Sequence, residues 1–293
     1  MSPPEDEPKP AAAAVPKAGG GPPELVRFQN VTKSFRDGAS AKVALQDVSF
    51  VVHDLPKRGE MVTLVGPSGC GKSTVLRIIA GLSPHFPPTT GVASVFGKPI
   101  EGPGVDRGLV DQKYSLLPHL TVLDNIAFGL MLRKEPRHDR REKAMEWVKK
   151  VGLEGAESKY PHQLSGGMQQ RVAIAATLIL KPRMLLMDEP FGALDPKIRL
   201  RMQELLVALW VESEATVFFV THSVEEAIYL GDRIYRMGSA PGRLIEILGQ
   251  FERPTDPPEI FRRRPSFASM TRDLLGRLEN DLPAMGPLAG STP

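Results

Sequence analysis

The stretch GPSGCGKST, from Gly66 to Thr74, fits the pattern G-x-x-x-x-G-K-[ST] of a phosphate-binding loop. It follows the apolar run Met61 to Val65, which predicts a strand, and a helical periodicity begins at Lys72. Glycines allow backbone N–H groups to converge on phosphate oxygens at the positive end of a helix. An ordinary glycine-rich turn is the alternative, and it does not account for the flanking strand and helix.

The chemistry of this loop predicts ATP and Mg²⁺ as cofactors. The ammonium group of Lys72 is expected to reach the β- and γ-phosphates, and the hydroxyl of Ser73 is expected to bind Mg²⁺. The residues that we assign to the nucleotide in this loop are Gly66, Pro67, Ser68, Gly69, Cys70, Gly71, Lys72, Ser73 and Thr74.

Cys70 is the only cysteine, so a disulfide within the chain is impossible, in agreement with a reducing compartment. Two interpretations of this residue stay open. Its position near a helix N-terminus and Lys72 predicts a lowered thiol pKa and a thiol whose modification inactivates the protein unless MgATP protects it. Alternatively, Cys70 is a small residue that fills space in the loop.

A second piece of the site follows in MLLMDEP, from Met184 to Pro190. Its apolar residues predict a buried parallel strand, and open α/β sheets bind their ligands beyond the carboxyl ends of such strands. Asp188 is the expected Mg²⁺ ligand, and Glu189 is expected to orient or deprotonate the attacking water. A strand that ends in a solvated acidic pair is the alternative, and the phosphate loop upstream favours the catalytic interpretation.

The sequence LSGGMQQR, from Leu164 to Arg171, resembles the signature of ATP-binding-cassette (ABC) ATPases. Ser165 and Gly167 open a helix, so its first N–H groups and the serine hydroxyl are expected to form a second anion site. The resemblance implies that Ser165, Gly166 and Gly167 contact the γ-phosphate bound to the phosphate loop of a partner chain, in a head-to-tail dimer. A serine-capped helix explains the helix start but not the three polar residues after Met168.

The ABC resemblance also implies roles for two residues upstream. Phe35, in KSFRDG, lies where these ATPases carry an aromatic residue that stacks on adenine, although it also fits the core of an antiparallel strand. Gln112 matches the glutamine that contacts Mg²⁺ and communicates with the membrane subunit. Its relatives usually carry an aromatic residue before this glutamine, whereas this chain has Asp111, which adds an acid near Asp188 and Glu189.

Two further matches lie downstream. Asp195, in GALD, matches the loop that crosses the dimer and couples the two sites, and with Pro196 it also fits a helix N-cap. His222 matches the histidine that contacts the γ-phosphate and orients the catalytic glutamate. The sequence SVEE, from Ser223 to Glu226, fits a capping box for the next helix.

Composition limits the classes of function. Of the 293 residues, 41% are hydrophobic and 24% charged, which is typical of a globular protein with one large domain or two small ones. The net charge of +3 gives no case for nucleic-acid binding, and we interpret Arg262 to Arg264 as a solvated helix start. No apolar run approaches the roughly 18 residues of a membrane-spanning helix, so any membrane role is expected to act through partners.

The predicted fold class is α/β: a P-loop ABC ATPase core, with a mixed sheet and an antiparallel β subdomain, plus an inserted helical subdomain. Leu25 to Lys33 and Ala44 to Val52 alternate like antiparallel strands, and Val92 to Phe96 and Arg107 to Val110 are expected to continue the sheet. The predicted organisation is a disordered tail over 1–23, the ATPase domain over 24–250 with the helical subdomain at about 115–180, a C-terminal helical extension over 251–280, and a disordered tail over 281–293.

Within the ABC superfamily, the chain is most similar to ATPase subunits of nitrate, sulfonate and taurine importers. The similarity lies in GKPIEGPGVDRG (Gly97 to Gly108), LLPHLTVLDNIAFGL (Leu116 to Leu130), FGALDPKIR (Phe191 to Arg199) and SAPGRLIEI (Ser239 to Ile247). This resemblance implies a peripheral ATPase on the cytoplasmic face of the inner or plasma membrane. Its expected partners are a second ATPase subunit, transmembrane permease subunits and a solute-binding protein.

Three other functions stay open as alternatives. An ABC exporter or a lipid-transport ATPase would carry the same motifs. A soluble ABC ATPase of DNA repair or translation usually has a long coiled-coil insertion or two cassettes in one chain, and this sequence has neither. A P-loop kinase for a small molecule has no need of LSGGMQQR.

Overall fold

The computed structural model describes residues 22–37, 40–55, 59–113, 115–249 and 255–279. Except for Pro22 and Pro23, the predicted tails lie outside these residues. The strands are β1 (Glu24–Asp37), β2 (Ser40–His53), β3 (Met61–Val65), β4 (Thr90–Val95), β5 (Lys98–Pro99), β6 (Arg107–Val110), β7 (Met184–Asp188), β8 (Thr216–Val220), β9 (Arg233–Met237) and β10 (Leu244–Gly249). The helices are α1 (Lys72–Ala80), α2 (Val122–Leu132), α3 (Arg137–Lys150), α4 (Gly166–Leu178), α5 (Pro196–Ser213), α6 (Val224–Leu230), α7 (Pro258–Phe261) and α8 (Pro265–Glu279), with a 3₁₀ turn at Pro161–Gln163.

These strands form two sheets. An antiparallel sheet has the order β2-β1-β4-β5, and a mixed sheet has the order β10-β9-β3-β8-β7-β6. In the mixed sheet β9, β3, β8, β7 and β6 run parallel, and β10 pairs antiparallel with β9. The predicted fold class is therefore confirmed.

The expectation that Val92 to Phe96 and Arg107 to Val110 continue one sheet is wrong. Val92 to Val95 lie in β4, which pairs antiparallel with β1 through contacts such as Val26 opposite Val95, whereas Arg107 to Val110 joins the mixed sheet as β6. The sequence could not separate the two cases, because a period of two identifies a strand without identifying its partner.

Helix α1, which follows the phosphate loop, packs with both sheets. Val75 and Leu76 of α1 are buried in one apolar cluster with residues of β1, β2 and β4 and with residues of the mixed sheet. Val62 and Leu64 of β3 belong to this cluster, while Met61 lies in a second cluster with the remaining helices. Since both faces of β3 are covered, all five of its residues are buried, as expected for a central parallel strand.

Helices α2, α3 and α4 all lie in the chain between β6 and β7. They pack into the second apolar cluster together with α5, α6 and residues of the mixed sheet. Helix α3 buries only Ala144 and Val148, so most of its charged surface faces solvent. The limits of the helical subdomain, about 115–180, stay a prediction.

The C-terminal helices dock on the core through aromatic residues. The rings of Phe261 and Tyr229 lie 5.4 Å apart between centroids, and those of Phe261 and Phe267 lie 5.7 Å apart. The solvated helix start predicted for the arginine run is wrong for Arg262, whose guanidinium pairs with Glu225 of α6 at 2.7 Å. The run alone gave no sign of this acid on a neighbouring helix.

Gly242, in the turn between β9 and β10, packs closely against the backbone of β2 and of the phosphate loop. Its N–H donates to the Ala44 carbonyl at 3.0 Å, and its carbonyl accepts from the N–H of Gln46 at 2.9 Å. A Cβ atom at this position would lie 1.9 Å from the carbonyl oxygen of Cys70. Only glycine therefore allows β2, this turn and the phosphate loop to approach so closely.

We expect Gly242→Ala to lower the free energy of unfolding by about 2 kcal/mol, because the phosphate-loop backbone must shift to admit the methyl group. Gly249→Ala is the matched control, since nothing lies within 4 Å of a Cβ atom there. The control should change stability by less than about 0.5 kcal/mol. Urea unfolding measures both variants, and equal stabilities would contradict the close approach at Gly242.

Candidate active site

The phosphate loop closes around the side chain of Lys72. The Nζ atom donates hydrogen bonds to the carbonyl oxygens of Gly66 and Pro67, both at 2.9 Å. Gly71 caps α1 with a φ of +89°, and a Cβ atom there would lie 2.5 Å from Cδ2 of Leu45. This curvature leads directly into a helix N-terminus, which is the arrangement that binds phosphate.

A cleft of about 360 Å³ opens beside this loop and has the size of a small-molecule site. Phe35, half-buried in β1, lines the cleft, which favours its contact with a nucleotide over a position in the core. His85 contacts the edge of its ring, with centroids 5.2 Å apart. The lining residues are Phe35, Lys42, Ala44, Ser68, Gly69, Gly71, Lys72, Ser73, Thr74 and Glu189.

Ser73 and Asp188 lie together beside the phosphate loop. The Ser73 hydroxyl donates to Oδ1 of Asp188 at 2.7 Å. Asp188 is buried, and this burial raises the pKa of its carboxyl, while the Ser73 hydrogen bond and the charge of Arg77 act in the opposite direction. The pair places two oxygen ligands at one point.

These donors fit Mg²⁺. The ion prefers oxygen ligands and is usually held by one or two protein side chains together with phosphate oxygens and water. Among the described residues, no group of three or more His, Cys, Asp or Glu side chains could hold a metal by itself. A metal shared between the predicted ligands Ser73, Gln112 and Asp188 and a nucleotide agrees with that finding.

Arg77 is a site residue that the sequence analysis missed. Its Nη2 atom lies 3.6 Å from Oδ2 of Asp111 and 3.6 Å from Oδ2 of Asp188. The guanidinium thus offsets the acid that this chain carries immediately before Gln112, and it ties that loop to the end of β7. The available signal was that α1 contains one basic residue besides Lys72.

Glu189 follows β7 with a φ of +45°, a conformation that is strained for a residue with a side chain and that is common at functional sites. The Nδ1 atom of His222 lies 3.4 Å from Oε2 of Glu189. A Cβ atom on Gly192 would lie 3.8 Å from both Oε2 of Glu189 and Nε2 of Gln112. The structure therefore brings Gln112, Glu189 and His222 together beyond the carboxyl ends of β6, β7 and β8.

The signature residues form a separate helix start. Ser165 caps α4, and its hydroxyl accepts from the N–H of Met168 at 3.4 Å. Ser165 and Gly166 are exposed, and Gly167 packs so closely on α5 that a Cβ atom would lie 2.7 Å from Cγ2 of Ile198. None of these three residues lines the cleft beside the phosphate loop. One chain thus holds two distinct helix starts that suit anions.

Two of the three polar residues after Met168 have structural partners, so the expectation that a capped helix leaves them unexplained is wrong for Gln169 and Arg171. Gln170 stays unexplained, because it is fully buried and its side-chain amide has no hydrogen-bond partner among the described residues. Gln169 donates from Nε2 to the carbonyl of Pro161 at 2.9 Å. Arg171 donates from Nη1 to the carbonyl of Val151 at 2.9 Å, at the end of α3. The sequence did not reveal these contacts, because they join α4 to carbonyl groups 8 and 20 residues upstream, in segments that no helical or strand period relates to it.

Asp195 caps α5 as predicted, because its Oδ1 accepts from the N–H of Ile198 at 3.0 Å. Ser223 caps α6 by accepting from the N–H of Glu226 at 3.3 Å. The predicted capping box is only half formed, because the Glu226 carboxylate accepts from the hydroxyl of Thr221 instead of from the Ser223 N–H.

Taken together, a phosphate loop at a helix start, a hydroxyl–carboxylate pair and a strained glutamate beside a histidine define a P-loop nucleotide hydrolase. The sequence matches the ABC transporter family over residues 45–192. It is 47% identical over 207 residues to the taurine import ATP-binding protein TauB of Escherichia coli K12, with 71% of this chain and 78% of that protein covered. It is 49% identical over 236 residues to an uncharacterized ABC transporter ATP-binding protein of Methanocaldococcus jannaschii, with coverages of 80% and 86%.

Solved structures give the same result. The dimeric ATP-binding cassette MJ0796, in a post-hydrolysis state bound to ADP and Pi, matches with a TM-score of 0.67 and 34% identity, over 78% of this chain and 99% of that one. CbiO1 of Clostridium perfringens, part of the ABC transporter complex cbiONQ, matches with a TM-score of 0.67 and 25% identity, over 88% and 99%. This chain belongs to the ABC transporter family, as an ATP-binding cassette that hydrolyses ATP.

Cys70 does not have the lowered pKa that its position suggested. Its side chain is fully buried, and burial raises the pKa of its thiol despite the nearby Lys72, whose Nζ lies 3.8 Å from Sγ. The sequence showed that Lys72 lies close to Cys70, but it did not show that the thiol is buried. The structure therefore supports the interpretation of Cys70 as a space-filling residue.

A raised pKa leaves less thiolate near neutral pH, and a buried sulfur is inaccessible, so we expect a thiol reagent to modify the native protein slowly. MgATP should not change this rate. In urea the same reagent should react completely, which serves as the control. Rapid modification of the native protein that MgATP slows, followed by mass spectrometry, would instead support a reactive thiol.

Proposed function

We propose that this chain is the ATPase subunit of an importer, in which a head-to-tail pair of such chains drives solute uptake through separate permease subunits. The observation that carries this proposal is that the phosphate loop and the Ser165 helix start do not share a cleft. A second copy would bring its Ser165 to the nucleotide that the first copy binds. The dimeric state of the similar cassette bound to ADP and Pi supports this arrangement.

In this proposal the cleft binds ATP, with adenine against Phe35 and the β- and γ-phosphates at Lys72 and the N–H groups of the loop. Ser73, Asp188 and Gln112 hold Mg²⁺, which neutralises phosphate charge when bound. The hydrogen bond between Ser73 and Asp188 supports this assignment, because it holds both oxygens in place before any ligand binds.

Glu189 orients the attacking water and accepts its proton during in-line attack on the γ-phosphate. His222, at 3.4 Å from the carboxylate, holds Glu189 in position and contacts the γ-phosphate. Ser165, Gly166 and Gly167 of a second copy complete the site. Asp195, exposed at the start of α5, lies between the copies and couples the two sites.

An apolar groove of about 260 Å³ between α2, α4 and the loop after Gln112 is the candidate docking surface for a permease. It includes Leu116 and Phe128, and Leu132 at its edge is 67% exposed. A permease segment bound here would touch the loop that carries Gln112, so the state of the nucleotide and the shape of the permease would be linked.

No helix among the described residues has both the length and the apolar character to cross a membrane. The similarity to import ATP-binding proteins supports a separate proposal, that the chain binds to the cytoplasmic face of the membrane through its permease.

The proposed solutes are small molecules of the nitrate, sulfonate and taurine group, delivered by a solute-binding protein. Similarity to taurine import ATP-binding proteins, at 47% identity over 207 residues, supports this class. Selection among these solutes would belong to the permease and the solute-binding protein, because the residues of the ATP site bind nucleotide and metal.

The variant Glu189→Gln tests the catalytic proposal. We expect at least about a hundredfold loss of ATP turnover, since the water loses its base, while MgATP still binds and holds the chain as a dimer. Glu212→Gln is the matched control, because Glu212 forms an exposed ion pair with Lys150 at 2.6 Å and has no role in the proposed mechanism. Steady-state ATPase assays and size-exclusion chromatography with MgATP give both readouts; a monomer with normal turnover would contradict the assignment.

Purification of the tagged chain from native membranes tests the importer proposal. We expect mass spectrometry to identify separate permease subunits. We also expect a solute of the proposed group to stimulate the ATPase activity of the reconstituted complex when the solute-binding protein is added. A permease that stimulates turnover without any solute-binding protein would contradict import.

A further inference from the structure

Glu226 is a buried carboxylate that the proposed mechanism leaves without a role. It lies in the first turn of α6 and is only 4% exposed. Burial raises the pKa of its carboxyl, and the bonds and charges of Thr221, Arg199 and Gln203 act in the opposite direction. Burying an acid is costly unless polar groups surround it, and here those groups come from two different segments of the proposed site.

The first segment is the one that carries His222. The Thr221 hydroxyl donates to Oε2 of Glu226 at 2.5 Å and accepts from the N–H of Ser223 at 3.0 Å. These bonds fix the chain on both sides of His222. The imidazole that they position lies 3.4 Å from the carboxylate of Glu189.

The second segment is α5, the helix that Asp195 caps. Gln203 donates from Nε2 to Oε1 of Glu226 at 3.2 Å, and Nε of Arg199 lies 3.9 Å from the same oxygen. Arg199 also donates from Nη2 to the carbonyl of Leu194 at 3.0 Å, immediately before Asp195. The two oxygens of one carboxylate therefore contact the histidine segment and the helix behind the GALD loop.

We propose that Glu226 is a positioning residue that holds His222 against Glu189 and ties this geometry to the loop of Asp195. This inference rests on the proposed function, because His222, Glu189 and Asp195 have their roles only there. Hydrogen bonds to a carboxylate are short and strong, so the network resists the small displacements that reduce catalysis. A shift of the Asp195 loop would move α5, and through Glu226 it would move His222.

The decisive variants are Thr221→Val, which removes the hydroxyl at nearly constant shape, and Thr221→Ser, which keeps it. We expect Thr221→Val to lower kcat about tenfold with the KM for ATP within about twofold, because His222 is misplaced while the nucleotide cleft is intact. Thr221→Ser should keep kcat within about threefold of the unaltered protein. Equal losses in both variants, or none in Thr221→Val, would overturn the role of the hydroxyl.

A role through His222 predicts that the effects are not additive. In a His222→Ala background, Thr221→Val should lower the remaining turnover by less than about twofold, since no imidazole is left to position. A buried acid with a merely structural role would give multiplied losses in the double variant. Urea unfolding of each variant confirms that the assays compare folded proteins.

The link to α5 has a readout that does not depend on activity. Hydrogen–deuterium exchange of Glu226→Gln should accelerate in both segments, residues 194–199 and 221–226, because the neutral amide binds Arg199 and Thr221 less strongly. Acceleration confined to 221–226 would overturn the link to the Asp195 loop.

Failure of this inference differs from failure of the proposed function. If Glu189→Gln abolishes turnover while Thr221→Val equals the unaltered protein, only the role of Glu226 is wrong. If Glu189→Gln itself turns over normally, the proposed function fails first.

Discussion

The ammonium group of Lys72, bonded at 2.9 Å to the carbonyls of Gly66 and Pro67, is the interaction on which the rest of the site depends. These bonds fold the loop around a positive charge at a helix N-terminus. Both the ammonium group and the helix dipole favour binding of an anion there. Lys72 is only 4% exposed, and burial of its charge is tolerated because backbone carbonyl oxygens accept hydrogen bonds from the ammonium group. Strand β3, helix α1 and the turn at Gly242 together fix the conformation of the phosphate loop.

A cluster of acids lies beside that positive loop, and its charge has to be offset. Asp111, Asp188 and Glu189 lie near one another at the carboxyl ends of parallel strands, where Arg77 contacts the first two. A nucleotide would add further negative charge, so the site favours a cation held between Asp188 and the phosphates. Burial raises the pKa of the Asp188 carboxyl, and the charges of Asp111 and Glu189 act in the same direction, although the guanidinium of Arg77 opposes them.

The sequence motifs predicted the chemistry of the site better than its surroundings. The motifs placed Ser73 and Asp188 at one site, and the structure joins them by a hydrogen bond although they are 115 positions apart. They meet because both lie beyond the carboxyl ends of parallel strands in the same sheet. The pKa direction of Cys70 was wrong, since sequence shows which charges are adjacent but not which side chains are buried. The contacts of Arg77 and Glu226 could not be predicted for a related reason. A sequence pattern shows which face of a helix or strand is buried, but it does not show which residues pack against that face.

The central claim is that each ATP site needs the phosphate loop of one copy and the signature of another. Mixing a Lys72→Ala chain with a Ser165→Arg chain tests it most directly, because the mixed dimer contains one site in which both halves are intact. The account predicts that each variant alone is nearly inactive and that the mixture regains ATPase activity in proportion to the mixed dimer formed. A Ser165→Arg chain that hydrolyses ATP normally by itself, or a mixture as inactive as its parts while mixed dimers are present, would contradict it.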